Sequence, residues 1–338
     1  MPVGMGRGLG DEPATAGRQT ADRLLGAGLG GGLSLDRMAI LGVQADSSKP
    51  IEHLPSRARF PLVMCPSVRA AVCALALFVP QPAPADEIEE WPLPEVEEPS
   101  GVVYHPLRKT LFVAGDEGDI YELSLTGEVL ASKNIGGDLE GVTCDPASGL
   151  LYVVREGHET VFEVRPGDLK ILRRFAIDRT FEGNANFLNR GGDGVEGITF
   201  VPRPGHREGG SFYAVNQNDP PVLIELALPL HSSKERFERA VLLGARKVAA
   251  SPLSGVLWDP PSGGFLVISA LWRSVYVTDR EGAYLASVKV PGLLPEGISR
   301  LPDGSFIIVQ DTGGLIRWKP AKDPFILPPG GKGKGEGH

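Results

Sequence analysis

The chain is poor in the residues that thiolate, disulfide and serine-nucleophile chemistry require. It has three cysteines, Cys65, Cys73 and Cys144, and six histidines, and none of these falls into a zinc-ligand spacing. There is no G-x-S-x-G elbow, which removes the common serine-hydrolase arrangement. Basic residues are in the minority, with 34 Lys+Arg against 42 Asp+Glu and a net charge of −8. Residues 1–85 hold 6 of the acids and 8 of the bases, leaving 36 against 26, or −10, for the remainder. An acidic chain without a basic stripe is a poor match for a nucleic-acid backbone and a better one for cations. The apolar run Ala70–Val79 is ten residues long, too short to cross a hydrocarbon layer of roughly 30 Å. No membrane span is expected. The Gly-rich stretch at 28–32 has no strand before it and no helix pattern after it, so it is no phosphate loop.

Glycine and proline are abundant, 44 and 30 residues in 338, a composition that favours tight turns over long helices. Five glycines are each followed five residues later by a proline: Gly101/Pro106, Gly141/Pro146, Gly197/Pro202, Gly255/Pro260 and Gly297/Pro302. Each is preceded by Ser or Glu (Ser100, Glu140, Glu196, Ser254, Glu296) and followed by a β-branched residue (Val102, Val142, Ile198, Val256, Ile298). The glycines are 40, 56, 58 and 42 residues apart, the range of repeated supersecondary units. In the second unit EGVTCD (140–145), LLYVVRE (150–156), TVFEVR (160–165) and LKILRRFAI (169–177) read as four strands, short apolar runs bounded by turn residues. The proline fits position i+1 of a type I turn. Four antiparallel strands per unit, set radially, describe an all-β propeller. A β-sandwich has no reason to restate one motif five times.

The last unit stops early, after LIRWKP (315–320), whereas EIEEWPLP (87–94) precedes the first motif without a unit of its own. These N-terminal residues are expected to supply the missing outermost strand, closing the ring with both chain ends and leaving no open edge there. The expected fold is a five-bladed β-propeller over 86–322. A sixth blade is possible if one hides in the long connections at 178–194 or 229–250. The phrases DEGDIYELSLTGEVL (116–130), EGITF (196–200), FYAVNQNDP (212–220), LSGVLWDP (253–260) and PEGISRLPDG (295–304), with the S/E-G-V/I starts, carry a family likeness. The chain resembles the SdiA-regulated family of bacterial β-propellers, the YjiK-like proteins, distantly related to NHL-repeat propellers. The resemblance spans residues 87–320. It implies a five-bladed propeller and, in at least one member, a bound calcium ion; it implies no particular activity.

Residues 64–85, MCPSVRAAVCALALFVPQPAPA, have the layout of a secretory signal. Arg69 gives the positive n-region, Ala70–Val79 the apolar h-region, and Ala83-Pro84-Ala85 an A-x-A cleavage site before Asp86. The expected location is therefore the periplasm or the extracellular medium. Cleavage leaves Cys144 alone, so no internal disulfide is expected. Neither Cys65 nor Cys73 follows a complete h-region, so no lipoprotein anchor is expected either. Residues 1–63 are Gly-rich and aperiodic, and fit either a start assigned too far upstream or a disordered extension. Residues 323–338, ending in GKGKGEGH, read as a disordered tail.

In an antiparallel pair the start of one strand and the end of the next lie at the same end of the sheet. The Ser or Glu before each motif glycine therefore shares one face of the ring with Asp116, Glu156, Gln217, Ala270 and Asp311, which close the second strands. The first strand of a blade is innermost, so Glu140, Glu196 and Glu296 should approach the central channel, with Asp116, Glu156 and Asp311 beside them. Crowded like charges raise one another's pKa unless something neutralises them. A hard cation with six to eight oxygen ligands does so, and calcium tolerates irregular geometry. Calcium is the expected ion, and those six acids are its candidate ligands. The competing arrangement has each Glu accepting backbone N–H bonds from a neighbouring unit, with the glycine permitting close approach. Asn216, Gln217, Asn218 and Asp219 add oxygen donors at the same mouth or make an ordinary turn. His158 reads as a solvated loop residue and His105 as a turn residue at the opposite end. Trp258 reads as core between units, and Trp272 as a candidate ligand contact.

Two functions stay open. One is a recognition or scaffold module, a monomer that holds a small molecule or a protein at the channel mouth, with no nucleic-acid partner. The other is a metal-dependent hydrolase of lactonase, esterase or phosphoesterase type, in which the cation polarises a carbonyl or phosphoryl oxygen. Catalysis needs a base of near-neutral pKa, and no histidine pair stands beside the carboxylates, which favours recognition. The signal layout gives a direct test. Intact mass and N-terminal sequencing of the protein secreted by its native host should find Asp86 first; a mature chain that keeps residues 1–32 would overturn the assignment.

Overall fold

The computed structural model describes residues 85–188, 192 and 194–328. The Gly-rich extension, the segment read as a signal up to residue 84, and residues 329–338 of the segment read as a tail lie outside the described residues. The described chain forms twenty strands and, among the described residues, no helix.

Strand β1 (Glu87–Pro92) has no partner near it in sequence. Strands β2 (Pro99–His105), β3 (Thr110–Gly115), β4 (Asp119–Leu123) and β5 (Val129–Asn134) form a four-stranded antiparallel sheet in that order. Next come β6 (Leu139–Cys144), β7 (Leu151–Arg155), β8 (Thr160–Arg165) and β9 (Lys170–Ile177), then β10 (Val195–Pro202), β11 (Gly210–Asn216), β12 (Val222–Ala227) and β13 (Phe237–Lys247). These two runs fuse into one eight-stranded sheet, because the outer strands β9 and β13 pair in parallel, with Phe237 opposite Arg174. Strands β14 (Gly255–Asp259), β15 (Gly264–Ser269), β16 (Ser274–Thr278) and β17 (Tyr284–Lys289) make another four-stranded sheet. The last sheet is β18 (Pro295–Arg300), β19 (Phe306–Gln310) and β20 (Gly314–Lys319), completed by β1, which runs antiparallel to β20 from Glu87↔Lys319 to Pro92↔Gly314. Asp86 fastens this closure, accepting hydrogen bonds from Trp318 Nε1 and the Ala321 N–H, both at 2.9 Å.

Middle strands such as β15 (GFLVIS) and β19 (FIIVQ) are buried at every position. They read as continuous apolar runs rather than alternating ones because a neighbouring sheet covers each face. The outer strand β5 (VLASKN) is exposed at five of its six positions, as expected of a rim. The core is divided among five clusters, each shared by adjacent sheets or half-sheets. Phe112 packs in one with Phe162, Phe175 with Phe212, Val215 with Val267, Ile268 with Ile308, and Val309 with Val113, which returns to the first sheet.

The motif glycines explain the centre. Strands β2, β6, β10, β14 and β18 lie side by side in that order, and β18 meets β2. A Cβ on Gly101 would stand 2.5 Å from the Glu140 carbonyl oxygen, and one on Gly141 2.6 Å from the Ile198 nitrogen. One on Gly197 would stand 2.5 Å from Gly255 Cα, one on Gly255 2.4 Å from the Glu296 carbonyl oxygen, and one on Gly297 2.7 Å from the Val102 nitrogen. These contacts form a closed cycle of backbone on backbone, which no side chain can enter. Two residues past the glycine, three of the innermost strands place a hydroxyl that accepts a backbone N–H of the next innermost strand. Thr143 Oγ1 accepts from Phe200, Thr199 Oγ1 from Trp258 and Ser299 Oγ from Tyr104.

The long connections hold no additional sheet among the described residues. The connection at 229–250 contains β13, the fourth strand of its own run, and 178–194 contributes one isolated bridge, Phe181↔Asn184. The packed chain does extend past residue 322. Phe325 is fully buried, 5.0 Å from the Phe306 ring and 6.0 Å from that of Trp318. The Pro/Gly-rich segment read as tail thus contributes an aromatic anchor, and Arg300 holds the neighbouring Asp323 at 2.5 Å.

Because the central contacts are backbone to backbone, they cannot relax by a rotamer change. Replacing Gly197 or Gly255 by Ala should cost about 1–3 kcal/mol by overpacking. Gly167→Ala, whose Cβ would meet nothing within 4 Å, should be close to neutral. Equilibrium urea unfolding checks the pair, and equal stability of the two variants would contradict the packing argument.

Candidate functional site

Four of the five innermost strands do not begin as regular ladders; β14 pairs with β15 in unbroken register from Gly255 onward. The pairing of β2 with β3 shifts register between Pro99 and Gly101, that of β6 with β7 between Leu139 and Val142, that of β10 with β11 between Val195 and Ile198, and that of β18 with β19 between Pro295 and Gly297. The skipped residues include Ser100, Glu140, Glu196 and Glu296. A β-bulge leaves its extra residue unpaired and re-aims its side chain. The motif thus couples a glycine that lets backbones touch to a bulged acid at the same end of the sheet. The second strands end beside them at Asp116, Glu156, Gln217, Ala270 and Asp311, as antiparallel pairing requires.

Three carboxylates gather most closely. Oxygens of Asp116, Asp138 and Glu140 lie within 4.8 Å of one another, and all three residues are half-buried. Asp138 is absent from the sequence-derived set. It sits in the β5–β6 connection after Gly136 and Gly137, both at positive φ, and its carbonyl accepts the Glu156 N–H at 2.9 Å. The glycine pair before an acid three residues ahead of the motif glycine was the available signal. One Asp138 oxygen, Oδ1, is buried with no hydrogen-bond partner.

The remaining sequence-derived acids are arranged around this group. Burial, then the charge and hydrogen bond of Glu196, pushes the Glu140 carboxyl well above the usual carboxylate range. Burial likewise raises Glu196, with Glu156, Glu296 and Asp138 adding repulsion, while its hydrogen bond with Glu140 opposes the rise. Two carboxyls that share a hydrogen bond need a proton or a cation between them. Asp116 is raised to about 7, first by its hydrogen bond with Asp138 and then by burial. Glu296 is raised to about 7 by burial and by Asp311, against a hydrogen bond with Ser254. Burial followed by the charge of Glu98 raises Asp311. Glu156 accepts the Gly194 N–H at 2.6 Å, the kind of backbone partner that the competing sequence reading gives every motif Glu.

The other candidates separate cleanly. His105 is buried in a turn, with Nε2 2.9 Å from the Gly149 carbonyl and Nδ1 accepting the Arg108 N–H. Asn216 is turned into its own loop, donating from Nδ2 to the carbonyls of Asn218 and Pro220. Trp258 packs 5.1 Å from the Phe265 ring in the inter-sheet core. Trp272 is 47% exposed and donates to the Ser251 carbonyl at 2.9 Å.

Radial sheets meeting on glycine around an acidic mouth define a β-propeller. Residues 82–309 match the SdiA-regulated family, and the chain belongs to it. No curated protein matches its sequence. Among solved structures it is similar to the glutaminyl cyclase of Myxococcus xanthus, at 15% identity and a TM-score of 0.50, over 69% of this chain and 95% of that one. A protein of unknown function from Bacteroides caccae gives 14% identity and a TM-score of 0.42, over 64% of this chain and 72% of that one. The β-propeller domain of Cps50 (Swd1) from Myceliophteria thermophila gives 12% and 0.37, over 63% and 62%. At 15% identity the first of these speaks for the fold alone. No helix of the described residues is long and apolar enough to cross a membrane.

The raised carboxyls set a pH dependence. Folding lifts Glu296 from 4.5, and Asp116 from 3.8, to about 7, so between about pH 4 and 7 the folded state binds more protons than the unfolded one. In chelator, the contribution of these two carboxyls to stability should therefore be full at the acid end of that window and fall as pH rises through it, by on the order of 3 kcal/mol for Glu296 alone. Calorimetry at pH 5 and pH 8 should give the higher Tm at pH 5, with Glu296→Gln reducing the difference. A Tm that rises from pH 5 to pH 8 would contradict the assignment.

Proposed function

We propose that this protein is an exported, calcium-binding recognition module, a five-bladed propeller whose ligand site is the acidic channel mouth. The observation that carries the reading is the cluster of Asp116, Asp138 and Glu140, three carboxylates within 4.8 Å of one another. The cycle of five glycine contacts and the five inter-sheet core clusters support the blade count. On this reading the eight-stranded sheet is two blades joined along their outer strands. The signal layout of residues 64–85 supports export.

The residues fit a hard divalent cation. The donors are all carboxylate oxygens, calcium's preferred ligands, and Asp138 Oδ1 is buried without a partner, a cost that coordination would relieve. Asp116, Asp138 and Glu140 would hold the ion, with Glu196 next to Glu140. Glu156, Glu296 and Asp311 would form the outer ring of negative charge. Bound there, calcium would neutralise the mouth and offer a positive centre to an incoming oxygen ligand.

An ion that binds the folded state alone adds about 2.7 kcal/mol at a hundredfold excess over its Kd. Calcium at millimolar concentration should raise the wild-type Tm measured by calorimetry, and Glu140→Gln or Asp138→Asn should remove most of that rise. An unchanged wild-type Tm, with no heat of calcium binding, would leave the hydrogen-bonded arrangement standing. The hydrolase reading draws on one observation, the hydrogen-bonded Glu140–Glu196 pair with both carboxyls raised, since a carboxyl kept protonated near neutrality can act as a general acid. Calcium-dependent turnover of lactones or phosphoesters that Glu196→Gln abolishes would favour hydrolysis over recognition.

A further inference from the structure

Away from the mouth, a cavity of about 250 Å³ opens between the β10–β13 run and the β16–β17 turn. Its floor is one row of the sheet: Tyr213 is paired with Glu225, and Glu225 with Gly244, so the three stand side by side on one face. In the next row on that face Leu223 is paired with Arg246. The same face packs on the β14–β17 sheet through Tyr213, Val215, Leu223, Val256, Phe265 and Val267. Arg280, from the turn between β16 and β17, lines the other side.

Gly244 ends the first row with no side chain. Its φ lies outside the left-handed region, and a Cβ there would meet nothing within 4 Å. Neither backbone conformation nor packing requires glycine at this position, and glycine weakens a strand. An interior strand glycine marks a bulge or a place where a ligand comes close. The bulge of β13 falls between Leu242 and Gly244, and Leu243 is its extra residue. The missing side chain at Gly244 leaves room at the edge of the floor, in a cavity whose lining includes guanidinium groups.

The charges point to the occupant. Glu225 is already matched, since Arg203 Nη2 donates to it at 2.9 Å and to the Tyr213 hydroxyl at 2.7 Å. Arg246 and Arg280 have no ion pair among the described residues. Arg246 makes one long bond, 3.3 Å, to the Ala245 carbonyl, and the Arg280 guanidinium lies 5.8 Å from the Trp258 ring centroid. Gly282, at φ 83°, brings the turn onto Arg246, where a Cβ would stand 3.2 Å from Arg246 Cβ. That approach sets the stem of one arginine beside the loop that carries the other. Glu281 is the remaining acid in the lining, so two guanidiniums without an ion pair and one carboxylate share the cavity in a chain whose net charge is −8. Guanidinium forks match the oxygens of phosphate and carboxylate.

We propose that this cleft is an anion-binding site, distinct from the acidic mouth, that takes a small oxyanion of the phosphate or carboxylate class between Arg246 and Arg280 above Gly244. Isothermal titration calorimetry of the full chain with inorganic phosphate and with succinate, in calcium-free buffer of low ionic strength, tests it. At least one of the two should bind saturably and weaken as salt is added. Arg280→Ala and Arg246→Ala should each weaken that binding about tenfold, the loss of one charge-assisted contact. Gly244→Leu should abolish it by filling the space, with Tm held or raised because the strand loses its glycine. Glu296→Gln at the mouth should leave it unchanged. The site is refuted if neither anion binds saturably, or if binding survives both arginine variants unaltered. Should Gly244→Leu fail to fold, the two arginine variants decide alone.

Discussion

Around the axis, five glycine backbones are in contact with one another or with the residues beside them, at distances that leave no room for a methyl group. The site follows from the same constraint as the fold. When strands converge on an axis, their inner ends come closer than the usual spacing between packed sheets, about 10 Å. At that radius only bare backbone fits. At four of the five positions the innermost strand also bulges where the glycine sits, and the bulge turns the preceding residue out of the ladder. Three of those residues are glutamates. Their crowding is therefore a product of close backbone approach and not a separate feature added to a finished ring.

Crowding has a cost that the rest of the molecule offsets. Asp116, Glu140, Glu196, Glu296 and Asp311 all have raised pKa values, so ionising them at neutral pH works against folding. Opposing this are five apolar clusters, one in each gap between neighbouring sheets or half-sheets, and a closing strand fastened by Asp86 to Trp318 and Ala321. Stabilising contacts lie away from the axis while repulsion is concentrated at it. Functional positions are where local rules are expected to be broken, and this division supports the reading proposed for the mouth.

Much of the architecture was legible because its constraints are local. The glycines recur because no other residue fits, and the pairing of first and second strands follows from antiparallel geometry alone. That reasoning located Glu140, Glu196 and Glu296 at one end together with Asp116, Glu156 and Asp311. It missed Asp138 because that residue lies in a connection, outside the repeating strand, and reaches the cluster through the positive-φ pair Gly136–Gly137. It missed the bonds that Thr143, Thr199 and Ser299 make between innermost strands, because a hydroxyl inside a strand reads as ordinary β propensity. It placed Phe325 in a tail because proline and glycine dominate the local composition, although one aromatic against Phe306 and Trp318 is enough to hold that segment.

Glycine means opposite things at the two ends of a sheet. Sheets that converge on an axis diverge away from it, so the gap between neighbours widens with radius. Near the centre the gap is narrower than any side chain, and Gly197 or Gly255 is needed for contact. Toward the rim, large residues such as Tyr213 and Phe265, with rings 4.6 Å apart, fill the wedge. A glycine in an outer strand, as at Gly244, leaves the wedge unfilled, with nothing within 4 Å of where its Cβ would be. Inner positions thus generate a crowded mouth of one charge, whereas outer positions can generate cavities whose chemistry is free to differ. The placement of arginines around Gly244 and of acids beside the axial glycines follows that geometric division, since the two linings sit on different strands and answer to different constraints.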